Sequence, residues 1–150
     1  MAKKIFITGC AKTGTTLLLR MCYAFKNAET LYTTGFNGHE LSLESFLSKD
    51  TNKRFLIGKR LPPTILSDSV EDIDSIEDQY RWIKNYNIGI INVIRDGRDV
   101  ILSDGNYVKP KRWISSMAQR KKYADIIDME IKYEDLVKYP NNIQENMMNV

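Results

Sequence analysis

The spacing within Gly9-Cys10-Ala11-Lys12-Thr13-Gly14-Thr15-Thr16 is the first in the chain that suggests chemistry. Two glycines with a lysine between them and two hydroxyls behind them nearly reproduce the Walker loop, whose backbone N–H groups wrap a phosphate. The departure from that pattern is chemical. A Walker loop has lysine directly after its second glycine, where it reaches the β and γ phosphates, and then a Ser or Thr that ligates magnesium. Here Thr15 takes the lysine's place and Lys12 lies inside the loop. N–H groups at a helix start can still cradle a phosphate, with hydroxyls adding donors. The arrangement for a metal-bound triphosphate is lost. Glycines at this spacing also fit a plain tight turn with an incidental lysine.

Other residues of interest lie further along. Arg95 follows the most apolar run of the chain and opens Arg95-Asp96-Gly97-Arg98-Asp99, with Ser103 eight positions on. A planar guanidinium at the carboxyl edge of a sheet suits a phosphate, although Arg-Asp-x-Arg-Asp can equally satisfy itself as an ion-pair cluster. Tyr133 begins Tyr133-Glu134-Asp135-Leu136, which also reads as an ordinary strand-to-helix junction. The chain's one histidine, His39, stands beside Glu40. A carboxylate there serves as a base if partial burial raises its pKa, and otherwise the pair is a solvated loop or a cap ahead of residues 41–47.

Positioning these groups requires strands and helices in alternation. Ile5-Phe6-Ile7-Thr8 is apolar on both faces, as a strand inside a parallel sheet is. Residues 15 to about 26 follow as a helix that is apolar nearly all round and so predicted to be buried. Phe55–Gly58 and Ile88–Ile94 read as further buried strands, with a helix over Ser75–Asn85 between them. A helix from Arg95 through about Ser103 comes next, then a basic helix over Trp113–Tyr123, a strand near Met129–Tyr133 and a last helix from Pro140. The alternation predicts a doubly wound α/β sheet, mostly parallel.

With 150 residues the chain has room for one domain, expected over 1–150, and at that size burial of roughly 70% of the unfolded surface makes staples unnecessary. Apolar residues at 43% and charged residues at 27% argue against disorder. A net charge of +3 is too mild to predict a nucleic-acid partner. Cys10 and Cys22 sit among apolar residues, as reduced thiols do, and no run is long enough for a membrane span or a signal peptide. A cytoplasmic protein with no membrane partner is expected, and a homo-oligomer is left open. Charge is segregated: residues 68–78 carry acids without a base, and residues 105–122 carry bases without an acid. Each run reads first as a solvated face.

Three segments carry a family resemblance. Ala11-Lys12-Thr13-Gly14-Thr15-Thr16 resembles the 5′-phosphosulfate loop of sulfotransferases that use 3′-phosphoadenosine 5′-phosphosulfate (PAPS), usually Pro-Lys-Ser-Gly-Thr-Thr. Ala11 replaces the proline, and Thr13 replaces the serine while keeping its hydroxyl. Val93 to Ser103 is similar to the family's 3′-phosphate motif, in which Arg95 and Ser103 would hold that group. Ile131 to Pro140 is close to its Tyr-Glu-Asp-Leu segment, which would set Tyr133 near the adenine. The matches occur in family order and span most of the chain.

The resemblance implies a single-domain, three-layer, P-loop NTPase-like sulfotransferase fold. It also implies transfer of a sulfuryl group from PAPS to a hydroxyl or amine acceptor, releasing adenosine 3′,5′-bisphosphate (PAP) without a metal. Lys12, Thr13, Gly14, Thr15 and Thr16 would hold the 5′-phosphate. Small-molecule members place a histidine base in Lys-Thr-His-Leu-Pro, but the comparable Gly58-Lys59-Arg60-Leu61-Pro62 has Arg60 there, and arginine is no base at neutral pH. Carbohydrate and tyrosyl-protein members use a glutamate after the first helix, a place Glu40 fits, and a lysine facing the sulfuryl group, which Lys59 fits. Glu40 is the expected base, with His39 the alternative. The acceptor classes implied are a carbohydrate or a protein, in an open cleft. Two rivals remain at this point, an atypical P-loop kinase using ATP and magnesium, and a non-enzymatic nucleotide-binding module.

Overall fold

A computed structural model describes residues 1–31, 43–59, 85–103 and 108–147. The strands are β1 (Lys3–Gly9), β2 (Ala28–Leu31), β3 (Phe55–Lys59), β4 (Gly89–Ile94) and β5 (Met129–Lys132). They lie side by side in the order β2-β3-β1-β4-β5, and every described pairing is parallel. The three inner strands, β3, β1 and β4, are those whose apolar residues run without alternation. A strand covered on both faces needs that pattern.

The period of two sorts the side chains into two cores. Ile5 and Ile7 of β1, Phe55 and Ile57 of β3, and Ile91 and Val93 of β4 face one layer of helices. That layer is α1 (Thr15–Cys22), α5 (Tyr133–Lys138) and α6 (Pro140–Met147), contributing Leu18, Leu19, Leu136 and Met147. Phe6, Leu56, Ile88 and Ile90 face the opposite way, onto Phe46 of α2 (Leu43–Ser48) and Tyr123. Phe6 and Phe46 meet with ring centroids 4.2 Å apart. The remaining α-helices among the described residues are α3 (Gly97–Leu102) and α4 (Pro110–Lys122). Helices on both faces of a parallel sheet make the expected three layers.

Several boundaries differ from the sequence reading. The first helix stops at Cys22 rather than near Lys26, because the N–H groups of Tyr23, Ala24 and Phe25 turn to carbonyls three residues back, at 3.1–3.2 Å. That tightening feeds the chain directly into β2, a short strand of half-buried residues that shows no alternation in sequence. Nor is α1 buried all round. Leu17 is 39% exposed and Arg20 lies in solvent, so only the Leu18–Leu19–Cys22 side packs on the sheet. The basic helix begins at Pro110 rather than Trp113, since the fixed φ of proline suits the first helical position. The helix expected to begin at Ser75, the acidic run over 68–78, and the residues His39, Glu40 and Arg60 lie outside the described residues.

Two polar features hold the β5 edge. Arg120 of α4 pairs with Glu130, its NH2 donating to Oε1 at 2.6 Å, and Asn92 Nδ2 reaches Glu130 Oε2 at 3.4 Å. The Arg120 guanidinium, with a smaller contribution from Asn92, holds the Glu130 carboxyl below its ordinary range. Both cysteines are buried and unbridged, and burial pushes the Cys22 thiol up to about 12. Among the described residues no helix is long and apolar enough to cross a membrane.

Candidate anion-binding site

In the sheet order, β1 is followed in the chain by strands on one side and then by β4 on its other side. The loops leaving β1 and β4 therefore meet at the switch point of the sheet, where open α/β folds bind ligands. Register sets how close they come. Gly9 lies opposite Val93 on adjacent strands, so Arg95 leaves the sheet level with the turn that carries Lys12.

The β1 loop is held in an uncommon backbone shape. Lys12 has φ 69° and Gly14 has φ 101°, both in the left-handed region. A lysine there carries strain, which tends to persist at ligand clamps. Thr13 staples the loop from inside. Its hydroxyl donates to the Cys10 carbonyl at 2.7 Å, and its N–H reaches the same oxygen at 3.3 Å. The Thr13 hydroxyl thus shapes the cradle instead of facing the cleft. Gly14 caps α1 without a side-chain acceptor, so the first N–H groups of that helix meet no cap.

Lys59 ends β3 with its side chain buried, and its Nζ donates to Thr16 Oγ1 at 2.9 Å. Pairing of Ile7 with Lys59 across β1 and β3 brings it under the start of α1. A buried ammonium beneath a helix N-terminus is costly unless it serves an acceptor or an anion nearby.

The cleft above the loop has a volume of about 310 Å³ and is lined by Lys12, Gly14, Thr15, Thr16, Leu17, Arg95 and Tyr133. Arg95 crosses to the loop, its NH1 donating to the Lys12 carbonyl at 3.2 Å. Its guanidinium carbon lies 4.2 Å from the centroid of the Tyr133 ring. The Arg95 Nε is buried with no hydrogen-bond partner. The Tyr133 ring in turn covers Gly14, where an added Cβ would come within 2.5 Å of Cδ2. Five of the expected anion-site residues (Lys12, Gly14, Thr15, Thr16 and Tyr133) thus share one cleft with Arg95. Leu17, which the sequence reading assigned to a buried face, is exposed because it forms part of this wall.

The turn after Arg95 resolves the ion-pair alternative in part. Asp96 pairs with Arg98, its two oxygens accepting from Nε at 3.0 Å and NH2 at 2.8 Å. It also caps α3 by accepting from the Arg98 backbone N–H at 2.9 Å. Arg95 stays out of that cluster and belongs to the cleft. The Arg98 hydrogen bonds depress the Asp96 carboxyl from its ordinary 3.8 to about 2. A depressed pKa contributes stability above the unfolded value, and that contribution disappears as pH falls through the folded value. The Tm difference between the wild type and Asp96→Ala should therefore be constant at neutral pH and shrink as pH drops from 3.8 towards about 2. A difference that stays constant over that range would show that the cap acts in its neutral form.

Ser103 is not drawn to Arg95. It caps the far end of α3, exposed, with its hydroxyl donating to the Val100 carbonyl at 2.9 Å. A hydroxyl whose proton is so engaged offers a phosphate nothing until it rotates.

The sequence reading passed over Trp113. Its Nε1–H donates to the Arg95 carbonyl at 3.4 Å, and its ring lies on Gly97. A tryptophan in a basic helix followed 18 residues after a strand-end arginine gives no local signal of that contact. On the other side of the Arg95 turn, Trp113 lines a larger hollow of about 460 Å³ that contains none of the expected site residues.

Neither a family model nor a curated protein matches the chain. Among solved structures, mouse sulfotransferase SULT7A1 complexed with PAP matches with a TM-score of 0.61 at 15% sequence identity. The match covers 98% of this chain and 57% of that one, so the chain spans little more than half of its length. At that identity the likeness establishes the fold. Its described residues form a parallel five-stranded sheet with helices, an α/β fold shared with that solved sulfotransferase.

Proposed function

We propose that the protein is a sulfotransferase that uses PAPS and releases PAP. The observation that carries this reading is the single cleft in which an uncapped helix N-terminus, Lys12, Thr15 and Thr16 face Arg95 and Tyr133. It suits an anionic nucleotide better than a neutral ligand, because Arg95 also has a buried Nε with no acceptor among the described residues. The solved sulfotransferase that shares the fold holds PAP, which adds to the reading.

When bound, PAPS supplies the sulfuryl group: a bond forms from the acceptor oxygen or nitrogen to sulfur, and the bond from sulfur to the phosphate oxygen breaks. The N–H groups at the start of α1, with Lys12, Thr15 and Thr16, stabilise the charge that develops on the departing 5′-phosphate. The resemblance gives Lys59 the role of facing the sulfuryl oxygens, and its hydrogen bond to Thr16 beside the cleft supports that reading. Arg95, with Ser103 after rotation of its hydroxyl, takes the 3′-phosphate, and Tyr133 borders the adenine. Glu40 accepts the acceptor's proton, with His39 as the alternative base; these two assignments rest on sequence. The acceptor is a hydroxyl or amine, with a carbohydrate or a protein as the classes to test.

The alternative is a P-loop kinase with ATP and magnesium. Asp96 is its candidate metal ligand near a strand end, and both Asp96 oxygens are already held by Arg98. A thermal-shift comparison separates the two. A ligand at a hundred times its Kd stabilises the native state by about 2.7 kcal/mol. Stabilisation by PAP, lost in Lys12→Ala and Arg95→Ala, is the expected result. Stabilisation only by ATP with magnesium would replace this reading with the kinase.

A further inference from the structure

Arg95 owes its position to its backbone, and the backbone of the Arg95-Asp96-Gly97 turn is held from outside the site. Gly97 is buried as the first residue of α3. An added Cβ there would come within 2.7–2.9 Å of three ring atoms of Trp113, so the indole lies flat against the peptide. The indole N–H points to the Arg95 carbonyl. The same ring packs against a small cluster made of Cys10 and Ala11 from the phosphate loop, Val100 from α3, and Val108. One side chain of α4 therefore touches the floor of the loop and the turn that presents Arg95. Together with the β1–β4 pairing and the contacts of Arg95 with Lys12 and Tyr133, this cluster ties the two walls of the cleft to each other.

We propose that Trp113 is a positioning residue that sets the reach of Arg95 for the 3′-phosphate, and that Gly97 is glycine so that the indole can seat on the turn. The inference rests on the proposed reading of Arg95 as the 3′-phosphate ligand. Trp113 is not among the residues lining the cleft and acts through Arg95. Displacement of a positioned group by about 1 Å can cost on the order of 100-fold, whereas the loop, although the indole packs on Cys10 and Ala11, keeps its own two hydrogen bonds from Thr13 to the Cys10 carbonyl.

The test is a binding series with PAP and with adenosine 5′-monophosphate, which lacks the 3′-phosphate. Trp113→Ala should weaken PAP by about tenfold or more while changing the monophosphate by less than about twofold, the scale of a displaced ligating group. Gly97→Ala should do the same by lifting the indole. Trp113→Phe keeps the ring on Gly97 and guards against a folding defect. It loses the N–H to the Arg95 carbonyl, so it should keep most of the wild-type Tm and recover part of the PAP affinity. In an Arg95→Ala background, Trp113→Ala should have no further effect, because residues that act through one another are not additive.

Equal weakening of both nucleotides, or full additivity with Arg95→Ala, overturns the proposal and leaves Trp113 a general packing residue. If the wild type binds no PAP, the functional reading fails separately. The role of Trp113 is then decided with inorganic pyrophosphate, where an affinity lowered by Trp113→Ala only when Arg95 is present sustains it and any other result overturns it.

Discussion

Gly14→Ala should weaken PAP binding sharply and lower the Tm at the same time. Two separate penalties meet at this position. At φ 101° a Cβ clashes with its own backbone, which for an L-residue in the left-handed region costs about 1–2 kcal/mol. The new Cβ would also lie 2.5 Å from Tyr133 Cδ2, so the ring that stacks with Arg95 must move. The first penalty tilts the N–H groups at the start of α1 away from a common centre, and the second opens the opposite wall of the cleft. Loss of aligned donors on both sides should weaken PAP by on the order of 100-fold.

The two penalties separate in a second variant. Adding Tyr133→Ala to Gly14→Ala removes the clash but not the backbone strain, so it should recover part of the Tm and little of the binding. Calorimetric titration with PAP, alongside thermal melts of the three proteins, checks the result. A Gly14→Ala protein that binds PAP as the wild type does would mean that the loop is not the phosphate cradle.

Legibility followed the range of the interactions. The βαβ alternation was readable because β1 and β4 are apolar on both faces and α1 follows a glycine-bounded loop, which are features of neighbouring residues. The loop and Arg95 were marked by short contiguous segments that resemble known motifs, where spacing alone left a plain turn or an ion-pair cluster open, and the structure brings them to one cleft. What escaped was set by contacts between distant segments. Leu17 looks like one more apolar residue of α1, and only the position of Arg95 and Tyr133 across the cleft leaves it exposed. Trp113 gains its role from α4 lying against the Arg95 turn. Ser103 stands at the expected spacing, yet its hydroxyl satisfies its own helix first. Four residues of β2 lack an alternation long enough to declare a strand, and pairing with β3 makes them one.

Lys59→Met should separate stability from chemistry most sharply. Lysine and methionine have similar length, and the stem of Lys59 is already buried among the ends of the central strands. Removing the ammonium deletes its desolvation cost together with the hydrogen bond to Thr16, two effects of opposite sign that are each about 1–3 kcal/mol. The Tm of Lys59→Met is therefore expected to stay close to that of the wild type. Sulfuryl transfer is expected to fall by about 100- to 1,000-fold, the usual loss when one preorganised donor to developing charge is deleted. PAP affinity should change little, since PAP lacks the sulfuryl group that the ammonium is proposed to face. Lys59→Arg should not restore turnover, because a planar guanidinium needs more room than the buried ammonium occupies and presents its donors in another geometry. The measurement is single-turnover release or transfer of labelled sulfate from PAPS, read beside melting curves. A Lys59→Met protein that keeps full turnover would assign the lysine to loop architecture alone. A large loss of PAP affinity would move its role to the 5′-phosphate.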